Sequence, residues 1–197
     1  MTHKFALTSS GPLSGKSTLA RHLRDAYGFI LADHSRSLVT AFVESWNSVL
    51  PVSERITMDQ VYQEKEVWRG RLQQFGYQTG FNDNTGAQLW VFTTLKEWLP
   101  DQKRDVVFDS LRGETQANVL HWLGFEVVQI EISEYERCAR AAKLNLSCMG
   151  ISQSMAAHPE LELGVRHPDI RLDGSLPTAF QASTLLPASH KEVRNGR

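Results

Sequence analysis

The 197 residues carry 21 Lys and Arg against 22 Asp and Glu, a net charge of -1, and 41% of them are hydrophobic. This balance fits one globular domain with a sizeable core, and its lack of basic excess argues against a nucleic-acid or membrane-surface partner. No apolar run approaches the roughly 20 residues of a membrane-spanning helix, and no charged stretch leads into a long apolar run at the start, so a cytoplasmic protein without a signal peptide is expected. The two cysteines, Cys138 and Cys148, lack C-x-x-C or zinc-ligand spacing and read as reduced thiols.

In chain order, Phe5-Ala6-Leu7-Thr8 reads as a buried strand closed by the tight loop Ser9-Ser10-Gly11-Pro12. A helix follows from Ser17 to Tyr27, with Leu19, Leu23 and Ala26 on one face, and Gly28 ends it. Phe29–Ala32 reads as a second strand ending at Asp33-His34-Ser35-Arg36. Helices are expected over Leu38–Trp46, Val61–Phe75 and Ala87–Leu99, with loops at 51–59 and 76–86. Val106-Val107-Phe108 is a third strand, ending at Asp109. A helix over Thr115–Leu123, a strand over Glu126–Ile132, a helix over Glu134–Leu146 and a weak strand at Ile170-Arg171-Leu172 complete the pattern. Alternating strands and helices imply an α/β fold with a parallel sheet covered on both faces, whose carboxyl edge binds ligands.

The loop Ser10-Gly11-Pro12-Leu13-Ser14-Gly15-Lys16-Ser17-Thr18 lies between a strand and a helix and ends in Gly-Lys-Ser-Thr. Such a loop turns successive backbone N–H groups and a helix N-terminus toward phosphate. Gly11, Ser14, Gly15, Lys16, Ser17 and Thr18 are the expected nucleoside-triphosphate contacts. Lys16 would reach the β- and γ-phosphates, and the Ser17 hydroxyl would ligate magnesium. The first glycine of the G-x-x-x-x-G-K-[ST] pattern is replaced by Ser10. Asp109, at the end of a buried strand, is the candidate for the acid facing magnesium; a turn or N-cap role is the competing reading, and Ser110 could cap equally well.

Three stretches carry a family resemblance. Arg69-Gly70-Arg71-Leu72-Gln73-Gln74-Phe75-Gly76 resembles an R-x-x-L-Q-x-x-G segment. Val107-Phe108-Asp109-Ser110-Leu111-Arg112, with Leu123-Gly124 and the strand after it, resembles a strand, D-x-x-R turn, helix, L-G and strand. Ala32-Asp33-His34-Ser35-Arg36 resembles A-D-x-x-K/R. In this order and spacing, with His158-Pro159-Glu160 and Asp173-Gly174-Ser175 near the end, the chain resembles phage-type deoxynucleoside monophosphate kinases. The resemblance implies a three-layer P-loop fold of adenylate-kinase type in one domain over 1–197. A helical acceptor-binding insert would span about 37–100 and a short lid about 137–157.

The resemblance further implies transfer of the ATP γ-phosphoryl group, with Mg2+, to a deoxynucleoside monophosphate, in the host cytoplasm if the protein is viral. Asp33, Arg36, Arg69, Gln73 and Arg112 would hold the acceptor. Lys16, Asp109, Arg112, Arg137 and Arg140 would be catalytic, and Ser17 and Asp109 would face the metal. Arginine forks suit an acceptor phosphate, and the spacing of Arg137 and Arg140 sets them on one helix face, where a solvated surface is the alternative. The family commonly has a glutamate four residues after the turn arginine; here Gln116 stands there, and Glu114 is two residues after Arg112. His34 is expected to make a structural hydrogen bond, Trp68 to pack in a core, and Arg71 to lie at the surface. A dephospho-coenzyme A kinase-like enzyme, a polynucleotide or modified-base kinase and a non-catalytic nucleotide switch are the rival readings. The oligomeric state is open, a homodimer included.

Overall fold

A computed structural model describes residues 2–79, 84–149 and 165–186. Five parallel strands stand in the order β2-β3-β1-β4-β5. They are β1 (Lys4–Ser9), β2 (Ile30–Asp33), β3 (Val106–Asp109), β4 (Glu126–Glu131) and β5 (Ile170–Asp173). The helices are α1 (Lys16–Tyr27), α2 (His34–Ser48), α3 (Met58–Gln63), α4 (Lys65–Gln78), α5 (Asn84–Thr94), α6 (Gly113–Trp122), α7 (Glu134–Lys143) and α8 (Thr178–Leu185). This is the three-layer α/β architecture expected from the alternating pattern.

The strands are apolar without a break because both faces are covered. Alternate residues point to opposite layers. Phe5 and Leu7 join Val107, Val128 and Ile130 beneath α1 and α8, where Leu19, Ala20, Leu23, Ala182 and Leu185 close the core. Ala6, Val106, Phe108 and Val127 face the other layer, against Val91, Leu95 and Trp98 from α5 and the turn after it, and Ala117 and Leu120 of α6. Between β2 and β3 in the chain, α2, α3 and α4 build a third core around Phe42, Val61, Trp68 and Leu72. Of the stretch expected as an insert, α2 to α4 have apolar packing of their own, whereas Val91, Leu95 and Trp98 belong to the core over the sheet.

Several expectations change. Ala20, not Ala26, completes the buried face of α1. The single helix expected over 61–75 is two, because a reciprocal Thr57–Gln60 capping box starts α3 early and the backbone leaves helical geometry at Glu64. The helix α8 is absent from the expected pattern; it starts after Pro177 and buries Ala182 and Leu185, three residues apart.

The cysteines are not reduced thiols: Cys138 of α7 and Cys148 form a disulfide, with Cα atoms 5.1 Å apart. Asn145, left-handed at φ 56°, turns the chain after α7, and the returning segment brings residue 148 back to the helix. Among the described residues no helix is long and apolar enough to cross a membrane. His158, Pro159, Glu160 and the lid residues from 150 to 157 lie outside the described residues.

Candidate functional site

Parallel register sets the strand ends side by side. Asp33 of β2 stands opposite Asp109 of β3, Asp109 stands opposite Leu7 of β1, and Glu131 of β4 stands opposite Asp173 of β5. The β1–α1 loop crosses this carboxyl edge. Gly15 precedes α1 in left-handed conformation, φ 92°, which suits a residue without a Cβ. Leu13 at φ 61° and Ser110 at φ 74° adopt the same region with a Cβ. Such residues cost about 1 kcal/mol or more each and mark places where packing overrides local preference. One lies in the loop and the other directly follows Asp109.

Lys16 bridges these two strained segments. Its Nζ donates to Asp109 Oδ1 at 2.8 Å and to Ser110 Oγ at 2.7 Å. Burial pushes the Lys16 pKa down, opposed by the Asp109 charge and hydrogen bond. Ser14 and Gly11 are buried, whereas Ser17 and Thr18 lie on the first turn of α1 and are both exposed. Ser10, in place of the first loop glycine, uses its side chain: Oγ accepts from the Ile132 N–H at 3.4 Å, while its backbone N–H donates to Ile130 O at 3.2 Å. That substitution fastens the loop to β4.

The residues expected on the acceptor side are distributed over several elements. Asp33 caps α2, accepting from the Arg36 N–H at 3.0 Å, and Arg36 itself is exposed. Tyr62 of α3, which sequence reasoning missed, faces this edge, and its hydroxyl pKa is raised by burial and by the Asp33 charge. Arg69 and Gln73 are half-buried on α4, four residues apart. Arg71 is exposed, with its guanidinium 5.0 Å from the Trp46 ring and 5.2 Å from the Trp68 ring, while Trp68 is buried, both as expected. Arg112 is the residue from which α6 starts, and its N–H donates to Gln116 Oε1 at 3.0 Å. Glu114 accepts a hydrogen bond from the backbone N–H of Arg166.

Arg140 has a position that sequence spacing did not disclose. Instead of standing on a free lid face, its Nη1 donates to Leu13 O at 2.8 Å and its Nη2 to Gly174 O, with Glu136 3.7 Å from Nε. It ties the phosphate loop to the turn after β5. Arg137 is half-buried on the same helix. Beside this tie, Gly15, Thr18, Arg140, Gly174, Ser175 and Gln181 line a cavity of about 370 Å³. The wall supplied by α8 was missed because α8 itself was.

A magnesium ion fits the donor set. Ser17 supplies a hydroxyl and Asp109 a carboxylate, hard oxygen ligands of the kind Mg2+ takes. Among the described residues no group of three or more His, Cys, Asp or Glu could hold a metal.

No protein-family model and no curated protein matches the chain. Solved structures do. A sugar kinase from Janibacter sp. HTCC2649 is 16% identical, with a TM-score of 0.51 over 93% of this chain and 94% of the other. A gluconokinase from Sinorhizobium meliloti 1021 is 14% identical, with a TM-score of 0.51 over 98% of this chain and 94% of the other. These likenesses establish the fold, a P-loop α/β architecture over nearly the whole chain.

Proposed function

We propose that this chain is an ATP- and Mg2+-dependent kinase that phosphorylates a small anionic acceptor, and that the acceptor is a deoxynucleoside monophosphate. The observation carrying this reading is the Lys16 ammonium held between Asp109 and Ser110 at the head of the β1–α1 loop. A lysine poised there can exchange the carboxylate for β- and γ-phosphate oxygens when the donor arrives. Phosphoryl transfer asks mainly for positioning and charge neutralisation. Lys16 supplies the charge at the donor side, and the cavity beside Gly15 and Thr18 has room for the donor's nucleoside. Arg36 and Arg112, on the β2 and β3 side, suit a phosphate-bearing acceptor. Magnesium, when bound at Ser17 and Asp109, would neutralise charge developing on the β- and γ-phosphates.

A second reading is a hydroxyl acceptor bearing an anionic group, such as a sugar acid. It is favoured by the pairing of Asp33 with Asp109 at adjacent strand ends. A carboxylate there can accept a proton from a hydroxyl but would repel a phosphate. The fold neighbours, a sugar kinase and a gluconokinase, favour the same alternative.

One panel separates the two. Deoxy- and ribonucleoside monophosphates, sugars and sugar acids are each incubated with ATP and Mg2+, and products are read by phosphorus NMR. A diphosphate product supports the first reading and a phosphate ester the second. ATP consumption that no acceptor stimulates refutes both.

A further inference from the structure

A buried chain of polar groups runs from α5 to the turn arginine. The Thr94 hydroxyl donates to Trp90 O at 2.8 Å, and its oxygen lies 2.9 Å from His34 Nδ1. His34 Nε2 lies 3.4 Å from Gln116 Nε2, and Gln116 Oε1 accepts from the Arg112 N–H at 3.0 Å. His34, Thr94 and Gln116 are 1%, 6% and 0% exposed. An amide nitrogen only donates, so His34 Nε2 must accept and its proton must sit on Nδ1. From the other end, the Thr94 proton is committed to Trp90, so its oxygen accepts from Nδ1–H. The two ends independently require the same tautomer, and the Gln116 amide is held in one orientation because reversing it would oppose two donors at Arg112.

We propose that Gln116 and His34 are positioning residues for the acceptor side: the relay from α5 fixes the turn between Asp109 and Arg112 through the Arg112 backbone N–H. This rests on the reading of Arg112 as an acceptor ligand. Three elements meet in the relay, α5, α2 and α6, and His34 is the residue after Asp33, so one buried imidazole braces both acceptor-side strand ends. Phe108 of β3 and Trp90 pack on its ring at centroid distances of 5.4 and 6.1 Å. The charges around it are Arg112, Lys16 and Asp109, and burial with the two cations keeps the imidazole neutral, its pKa lowered to about 3. Gln116 thereby does with a neutral amide what a glutamate could not do: satisfy an N–H on one side and a bare imidazole nitrogen on the other.

The test starts from imidazole nitrogen NMR on the whole chain without substrate. It is expected to show His34 neutral and protonated on Nδ1. Gln116→Glu keeps an acceptor for the Arg112 N–H but turns its second oxygen onto the His34 Nε2 lone pair, so the pair either repels or takes up one proton from solvent between that oxygen and Nε2. The acceptor kcat/KM should then fall about tenfold, roughly the worth of one buried hydrogen bond, with the KM for ATP nearly unchanged. Thr94→Val, on a different element, should give an acceptor-specific loss in the same direction, and the double variant should lose less than the two losses combined. An Nε2-protonated His34 in the unmodified protein overturns the relay. So do variants whose ATP and acceptor constants move together with the melting temperature. If nothing is phosphorylated by any form, the kinase reading fails by itself, and the tautomer with the hydrogen-exchange protection of the Arg112 amide still decides the relay.

Discussion

Gly174 meets Ser14 backbone to backbone: a Cβ on Gly174 would lie 2.8 Å from the Ser14 carbonyl oxygen and 2.8 Å from that of Glu131. The turn after β5 thus forms part of the seat of the phosphate loop, and Arg140 ties the same two segments from the other side by donating to Leu13 and Gly174.

Gly174→Ala should therefore act on the loop. Neither contact is a flexible side-chain end, so the backbones must part, at a cost of about 1–3 kcal/mol as for overpacking in a core. ATP binding should weaken more than acceptor binding if, as proposed, the loop that holds Ser14 binds the donor. Calorimetric titration with ATP, alongside a melting curve, checks this; unchanged ATP affinity would mean that the loop does not depend on the turn.

Lys16→Ala should lower turnover by about 10²–10³, the usual effect of removing one preorganised charge from a transition state. The stability cost should be smaller, about 1–3 kcal/mol for a charged hydrogen bond lost at Asp109. The loss is limited because burying the Lys16 ammonium already opposes the gain from the pair. Turnover close to that of the unmodified chain would remove Lys16 from the chemistry.

His34 gives a pH signature. Its folded pKa is about 3 against 6.5 for a solvated imidazole, with burial the main cause. As pH falls, the unfolded chain takes up the proton first. The stability contributed by neutral His34 is full above about pH 6.5 and is lost on descending toward pH 3, by up to ~1.4 kcal/mol per pH unit. His34→Gln does not titrate. Urea unfolding at pH 7 and pH 5 should show the unmodified chain losing more stability than the variant; equal losses would mean that His34 is not the titrating group.

What the sequence disclosed, and what it withheld, follows from the range of the interactions. The strand–loop–helix around Lys16 and the strand ending at Asp109 are local patterns, and both stand where chain-order reasoning set them. The helices between β2 and β3 were legible in outline, though Thr57 and Gln60 start a helix that apolar spacing alone did not show. The contacts that build the site join distant residues: Arg140 to Leu13, Gly174 to Ser14, His34 to Thr94 and Gln116. No periodicity reports such pairs. In the sequence Gln116 stands out only as a departure from a glutamate, and its partner His34 only as a structural hydrogen bonder. The disulfide was hidden because the turn at Asn145 that permits it carries no distinctive spacing.

Opening the Cys138–Cys148 link should cost about 2–3 kcal/mol, the chain entropy of closing a loop with a sequence separation of 10. Urea unfolding of Cys138→Ser, compared with the unmodified chain under a dithiol reductant, should give matching destabilisation. A stable variant with no change on reduction would show that the segment after α7 is held by packing alone.

Arg112→Lys gives the most discriminating outcome. The substitution keeps a positive charge, and it keeps the backbone N–H that donates to Gln116 Oε1, so the turn and the start of α6 stay in place. Only the planar two-point fork is lost, and an ammonium cannot reproduce it. If Arg112 grips an acceptor phosphate, the acceptor KM should rise and turnover should fall together, because one contact both binds and orients the phosphate. The KM for ATP should barely move, since the proposed donor site is the loop around Lys16. If the side chain instead only holds the turn, the melting temperature should drop and both substrates should suffer alike. A hydroxyl acceptor gripped by Asp33 gives a third pattern: an acidic sugar still turns over, with a raised KM only when its anionic group is present. Measuring both KM values and the melting temperature of one purified variant separates the three, and an effect confined to ATP would refute the assignment of Arg112 to the acceptor.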